Sequence, residues 1–101
     1  MGHIKVKEEA EKIARYSAKF LKEKYNVNRV YLIGSVLSHN FSEHSDIDLV
    51  VEGLREDSYF EALAELMMRY FKDIEIDLIP YEDCEEDFKK IIREKGRILI
   101  E

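Results

Sequence analysis

The chain has 101 residues, which suits one domain around a single hydrophobic core and is too short for two. Its 22 acidic and 16 basic residues give a net charge of −6, and the absence of a basic block argues against direct nucleic-acid binding. The single cysteine excludes an internal disulfide, and no apolar run reaches membrane-spanning length. The N-terminus carries charges where a signal peptide needs its apolar core. We therefore expect one domain over residues 1–101, located in the cytoplasm and without membrane contact.

The first third of the chain predicts a long helix followed by two strands. Apolar residues recur at helical spacing over residues 6–25, and residues 26–28 are a plausible break. Residues 29–33 are rich in strand-forming side chains and end at Gly34, and residues 47–51 form a second such run. The intervening residues carry no obvious long helix, so the two strands are predicted to be antiparallel.

The next element is a predicted helix from Ser58 to residue 71, because Ser58 and Glu61 have the spacing of a capping box. Its apolar residues form two adjacent stripes, which is wider than packing on one sheet requires. One interpretation places one stripe on the sheet and the other on the first helix, and the alternative is contact with a partner. The stripes are Phe60, Ala64, Met67 and Phe71, and Tyr59, Leu63, Leu66 and Tyr70.

Residues 73–80 alternate acidic and apolar side chains and predict a third strand ended by Pro80. Asp83 and Glu86 resemble a helix start, Gly96 ends that helix, and residues 97–100 predict a final strand at an edge of the sheet. The order of elements predicts an α/β (α+β) domain with a mixed sheet of about four strands and helices packed on it.

Two acids, Asp46 and Asp48, stand on either side of the first residue of the second strand. Asp46 and Asp48 share one face about 6.6 Å apart, and like charges so close require compensation. A divalent metal ion is the usual source of the compensating positive charge, and magnesium prefers carboxylate oxygens together with nucleotide phosphates. The Gly34-Ser35 turn offers backbone donors and a hydroxyl for an anion. If the third strand lies beside the second, Asp77 completes a carboxylate triad. Otherwise the acids of the third strand are simply exposed to solvent.

These residues carry a resemblance to a known family. Gly34-Ser35, ten intervening residues, Asp46-Ile47-Asp48 and then Asp77 on a strand resemble the minimal nucleotidyltransferases of the DNA polymerase β superfamily. The resemblance implies that Asp46 and Asp48 bind two magnesium ions and that Asp77 binds the one activating the attacking hydroxyl. It also implies that Gly34 and Ser35 hold ATP. Ser45 is a further candidate phosphate ligand, or a residue that fixes a turn.

Small members of this family commonly act as antitoxins, each paired with a helical toxin of the HEPN class. The resemblance implies AMP transfer from ATP to a tyrosine of such a partner, with Asp46, Asp48 and Asp77 as catalytic residues. One departure is that residues 36–45 contain no lysine or arginine, whereas relatives often place an arginine there. A distant cation is one substitute, and a non-catalytic subunit that neutralises its partner by contact is the alternative function. The sequence leaves a homo-oligomer open.

Overall fold

The computed structural model describes residues 2–34, 47–70 and 75–101. Its helices are α1 (Gly2–Tyr25), α2 (Tyr59–Tyr70) and α3 (Glu86–Lys95). Its strands are β1 (Arg29–Ile33), β2 (Ile47–Glu52), β3 (Ile76–Pro80) and β4 (Arg97–Ile100). Single 3₁₀ turns at Glu56–Ser58 and Tyr81–Asp83 precede α2 and follow β3. Within these ranges, no helix is both long and apolar enough to cross a bilayer.

The strands form one mixed sheet in the order β3-β2-β1-β4. β1 pairs antiparallel with β2 and with β4, whereas β2 pairs parallel with β3. The predicted antiparallel first pair, the mixed sheet and the edge position of the last strand are therefore confirmed. β3 lies beside β2, as the predicted carboxylate triad requires.

The first face of the sheet carries the larger core, because alternate strand residues point towards α1 and α2. Leu32, Leu49 and Leu78 lie on this face and are buried. The predicted apolar stripe of α1 packs against it, and its buried members are Ala10, Ile13, Ala14, Ser17 and Leu21. Asn26 then ends α1 in a left-handed conformation with φ 53°, where asparagine is one of the tolerated residues.

The second face of the sheet is covered by α3 and carries a smaller core. Tyr31, Val50 and Ile92 are buried together there. The rings of Tyr31 and Tyr81 stack with their centroids 6.0 Å apart, which ties the turn after β3 to the same cluster. α3 therefore sits over β1 and β2.

Several predicted boundaries were wrong. α1 begins at Gly2, four residues before its predicted start, and β2 extends one residue further, to Glu52. Ser58 is the last residue of a 3₁₀ turn, α2 begins at the next residue, and residue 71, the predicted end of the helix, lies outside the described residues. Asp83 also lies in a 3₁₀ turn, and the N-cap of α3 is Glu85, which makes no side-chain cap hydrogen bond. β3 begins at Ile76, and the predicted strand residues 73 and 74 lie outside the described residues.

Tyr70 and Phe71 lie outside the side chains that the structure describes, and of the other members only those of the Tyr59 stripe are buried or partly buried. Leu66 is fully buried and Leu63 is partly buried, whereas Phe60 is 79% exposed and Met67 is 43% exposed. The first helix meets a different side of α2, through a Lys24–Glu65 ion pair and through the Arg69 guanidinium over the Phe20 ring. The interpretation that places both stripes in internal contacts was therefore wrong for the Phe60 stripe.

Tyr59 connects α2 to the edge strand β3, because its hydroxyl donates a hydrogen bond to the carbonyl oxygen of Leu78 at 2.6 Å. Tyr59→Phe removes this bond and is expected to lower the free energy of unfolding by about 0.5–1.5 kcal/mol. Burial, and secondarily the charge of Asp77, raises the pKa of Tyr59 above 10.0. The folded state thus favours the protonated phenol, and its contribution is complete below pH 10 and lost as the pH rises through the folded-state pKa.

Urea unfolding of wild type and Tyr59→Phe at neutral pH and above pH 10 checks both effects. The wild type should lose more stability than the variant on going to high pH, because the variant lacks the titrating phenol. An equal loss in the two proteins would contradict the role assigned to Tyr59.

Candidate functional site

Two of the three predicted metal ligands lie side by side. Asp48 of β2 and Asp77 of β3 are register partners in the parallel pair. Paired residues of neighbouring strands point to the same face, and the strands are about 4.8 Å apart. The buried residues Leu49 and Leu78 alternate with these acids, so the carboxylates lie on the second face. Asp77 is exposed and Asp48 is partly buried, so a ligand can reach the pair from solvent.

Gly34 lies next to Asp48 on the side of β1. It follows Ile33, the antiparallel partner of Asp48, and it adopts φ 86°, where non-glycine residues are strained. A Cβ added to Gly34 would overlap Asp48 Oδ2 and lie 3.4 Å from its Cγ. Glycine is therefore required here both for the backbone conformation and for the close approach to the carboxylate.

The chemistry of these donors fits magnesium. Two carboxylates on one face of neighbouring strands supply the hard oxygen ligands that this ion prefers. The described residues contain no cluster of three possible metal ligands, because the third predicted acid, Asp46, lies outside them. Ser35 and Ser45, the two hydroxyls predicted to contact the nucleotide, also lie outside the described residues. Asp48, Asp77 and Gly34 thus form the described part of the site.

A cavity beside Gly34 was not predicted from the sequence. Its volume is about 400 Å³, and it lies between the end of β1 and one side of α3, where Ile33, Phe88 and Lys95 contribute to its walls. About sixty residues separate Gly34 from Lys95, and only the position of α3 on the second face brings them together. The helical periodicity of α3 alone could not identify this neighbour.

Cys84 is a poor nucleophile in this structure. Burial raises the pKa of its thiol above 9.0, so the protonated form prevails at neutral pH. Its Sγ donates a hydrogen bond to the carbonyl oxygen of Pro80 at 3.4 Å. Cys84 thus packs beside the Tyr31 cluster and has no part in the carboxylate site.

The fold is similar to that of solved toxin-antitoxin structures. One is a crystal structure of the toxin-antitoxin MntA-HepT, with TM-score 0.64 and 19% identity over 89% of this chain and 71% of that chain. Another is a crystal structure of the toxin-antitoxin with AMP-PNP, with TM-score 0.68 and 20% identity over 85% of this chain and 72% of that chain. At these identities the likeness shows the fold.

Membership of a family rests on the sequence itself. A comparison with curated proteins gave no match. The family model described as "Polymerase beta, Nucleotidyltransferase" matches residues 11–101, which include every residue of the candidate site. This chain therefore belongs to the polymerase β-type nucleotidyltransferase family, as the spacing of Gly34-Ser35, Asp46-Ile47-Asp48 and Asp77 indicated.

Proposed function

We propose that the chain is a magnesium-dependent nucleotidyltransferase that acts in the cytoplasm as an antitoxin. It transfers AMP from ATP to a tyrosine hydroxyl of a helical toxin partner of the HEPN class. The observation that carries the proposal is the register pairing of Asp48 with Asp77 beside Gly34. Family membership supports nucleotidyl transfer, and the likeness to toxin-antitoxin structures supports the role and the partner. The solved structure with AMP-PNP supports ATP as the donor.

In the proposed reaction, the tyrosine hydroxyl gives up its proton to solvent and its oxygen attacks the α-phosphorus of ATP, the bond from that phosphorus to the bridging oxygen of the β-phosphate breaks, and pyrophosphate leaves. Two magnesium ions supply the charge that stabilises the entering and leaving oxygens of such a displacement. Asp46, Asp48 and Asp77 are the proposed ligands, and Asp77 lies on the edge strand, where an acceptor on another protein can approach. Gly34 permits close backbone approach to the phosphates, with Ser35 and Ser45 as proposed hydroxyl donors.

The uncovered side of α2 is the proposed contact surface for the toxin. Phe60 and Met68 are each 79% exposed, and Met67 lies with them on this side of the helix. Large apolar side chains grouped on a surface commonly mark a protein interface. This surface borders β3, since Tyr59, one residue from Phe60, binds the β3 backbone. A partner docked on α2 is therefore close to the strand that carries Asp77.

The acidic end of α2 indicates the charge of that partner. A cavity of about 560 Å³ lies between the start of α2 and the end of β3, lined in part by Phe60, Glu56, Glu82 and Asp83. Within the described ranges, Glu56 and Asp83 form no ion pair. A lysine or arginine of the partner is complementary to these carboxylates and to the Phe60 ring.

The double substitution Phe60→Ser/Met68→Ser is expected to weaken binding to the toxin at least about tenfold, because it removes the apolar anchors. The fold should be unaffected, since both side chains are exposed. Tyr16→Ser is the matched control, because Tyr16 is 55% exposed on α1, away from this surface. Calorimetric titration of the toxin into each variant measures the effect, and equal affinity of wild type and double variant would rule out this surface.

The catalytic proposal is tested with α-phosphate-labelled ATP, magnesium and the proposed toxin partner, a helical protein of the HEPN class. Label is expected on a tyrosine of that protein with wild type, and neither with Asp48→Asn nor without magnesium. If the two proteins bind and the toxin is silenced while no label is transferred, neutralisation by contact alone is the function. The absence of lysine and arginine from residues 36–45 is the observation that favours this second function.

A further inference from the structure

The cavity beside Gly34 lies next to the carboxylates on the same face of the sheet. Ile33 forms part of its wall and is the register partner of Asp48. Asp77, Asp48 and Ile33 therefore stand in one row across β3, β2 and β1, with about 4.8 Å between neighbouring strands. Asp77 and the cavity lie on opposite sides of Asp48. An acceptor that approaches at Asp77 thus leaves the cavity side free for the other end of the nucleotide.

Lys95 brings a positive charge to this cavity. It is the last residue of α3, and it lines the cavity together with Gly34. The other lining side chains come from apolar residues such as Ile33, Phe88 and Ile91. Lys95 is exposed, so an anion bound at the cavity can reach its ammonium group from solvent.

Three neighbouring cations are engaged elsewhere, and Lys90 of the same helix does not line the cavity. Lys89 pairs with Glu86, Arg97 pairs with Glu11, and Arg93 donates a hydrogen bond to the Tyr81 hydroxyl. Lys95 makes no ion pair with any residue in the described ranges. Its ammonium group is thus available to a ligand.

We propose that Lys95 supplies the cation that residues 36–45 lack and binds the β- and γ-phosphates of ATP. The inference rests on the proposed function, since it assumes that ATP binds at the Gly34–Asp48 edge. When the bond between the α- and β-phosphates breaks, negative charge grows on the departing pyrophosphate. The Lys95 ammonium then stabilises the leaving group as well as the bound triphosphate. Lys95 is in this account a substrate-binding residue contributed by α3.

The test compares ATP with AMP, which lacks the β- and γ-phosphates. Binding of each nucleotide in the presence of magnesium is measured by isothermal titration calorimetry for wild type, Lys95→Gln, Lys95→Arg and Lys90→Gln. Lys95→Gln is expected to weaken ATP binding about tenfold and AMP binding less than twofold. Lys95→Arg should remain close to wild type, because it keeps the charge. Lys90→Gln, which removes an exposed lysine of the same helix, should leave both affinities unchanged.

Three outcomes would overturn the inference. If wild type binds ATP and Lys95→Gln binds it equally well, Lys95 is not a phosphate ligand, although the proposed function stands. An equal loss of ATP and AMP affinity would show that the substitution acts through the fold or the adenosine. If wild type binds no ATP with magnesium, the proposed function fails and the role of Lys95 fails with it. Thermal unfolding of each variant shows whether an equal loss of both affinities comes from a change in stability.

Discussion

Asp48→Asn and Asp77→Asn are each expected to reduce the rate of AMP transfer at least about 100-fold, equivalent to about 2.7 kcal/mol of transition-state stabilisation. The substitution keeps the size of the side chain and removes the negative charge that binds a divalent cation. Because the two acids are register partners, losing either one leaves a single described carboxylate at this edge. Initial rates with labelled ATP over a range of magnesium concentrations measure the effect.

Asp87→Asn is the matched control, since it removes an exposed acid from α3 without touching the carboxylate pair. It should transfer AMP at the wild-type rate. Circular dichroism and thermal unfolding of all variants should show a common fold, because Asp77 is exposed and its substitution removes no core contact. A wild-type rate of AMP transfer in Asp77→Asn would show that Asp77 is not a catalytic residue.

Gly34→Ala is expected to destabilise the chain and to abolish magnesium-dependent ATP binding. Alanine at φ 86° costs about 1–2 kcal/mol, and its Cβ would also overlap the Asp48 carboxylate. Displacing that carboxylate moves a proposed magnesium ligand. Urea unfolding measures the first effect and calorimetric titration with ATP and magnesium measures the second.

Gly53→Ala provides a matched control for strain. Gly53 has φ 91°, and a Cβ there would crowd Asn28, which lies at the opposite end of β1 from Gly34. This variant should lose stability but retain ATP binding. A double-mutant cycle of Gly34→Ala and Asp48→Ala isolates the destabilisation caused by the overlap. The loss of stability caused by Gly34→Ala should be smaller when the Asp48 carboxylate is absent. If Gly53→Ala also loses ATP binding, the effect of Gly34→Ala belongs to general destabilisation.

The strands could be predicted because local residue patterns determine them. β1 matched its predicted range, since its apolar run ends at a glycine that must adopt a positive φ. Alternation along the third strand predicted which face carries Asp77, but its position beside Asp48 depended on that strand pairing with β2, which the sequence left open and the structure shows. The start of α3 could not be predicted, because its N-cap is Glu85 and makes no side-chain cap hydrogen bond that a capping pattern would reveal.

The other parts of the site depend on contacts between distant segments. The overlap that a side chain at Gly34 would cause with Asp48 depends on how β1 and β2 meet, and the spacing of the motif does not encode that distance. Lys95 reaches the cavity beside Gly34 only because α3 packs on the second face through Ile92. The sequence also left open whether the second stripe of α2 meets the first helix, and α1 packs against another side of α2 and leaves Phe60 exposed.

A crystal structure of the chain with magnesium and AMP-PNP tests the central claim most directly. The account predicts magnesium bound to carboxylate oxygens of Asp48 and Asp77 at about 2.0–2.1 Å, with the phosphates of the nucleotide extending past Gly34. Metal or nucleotide bound elsewhere, with both carboxylates free of any ligand, would contradict the assignment of this edge of the sheet as the active site.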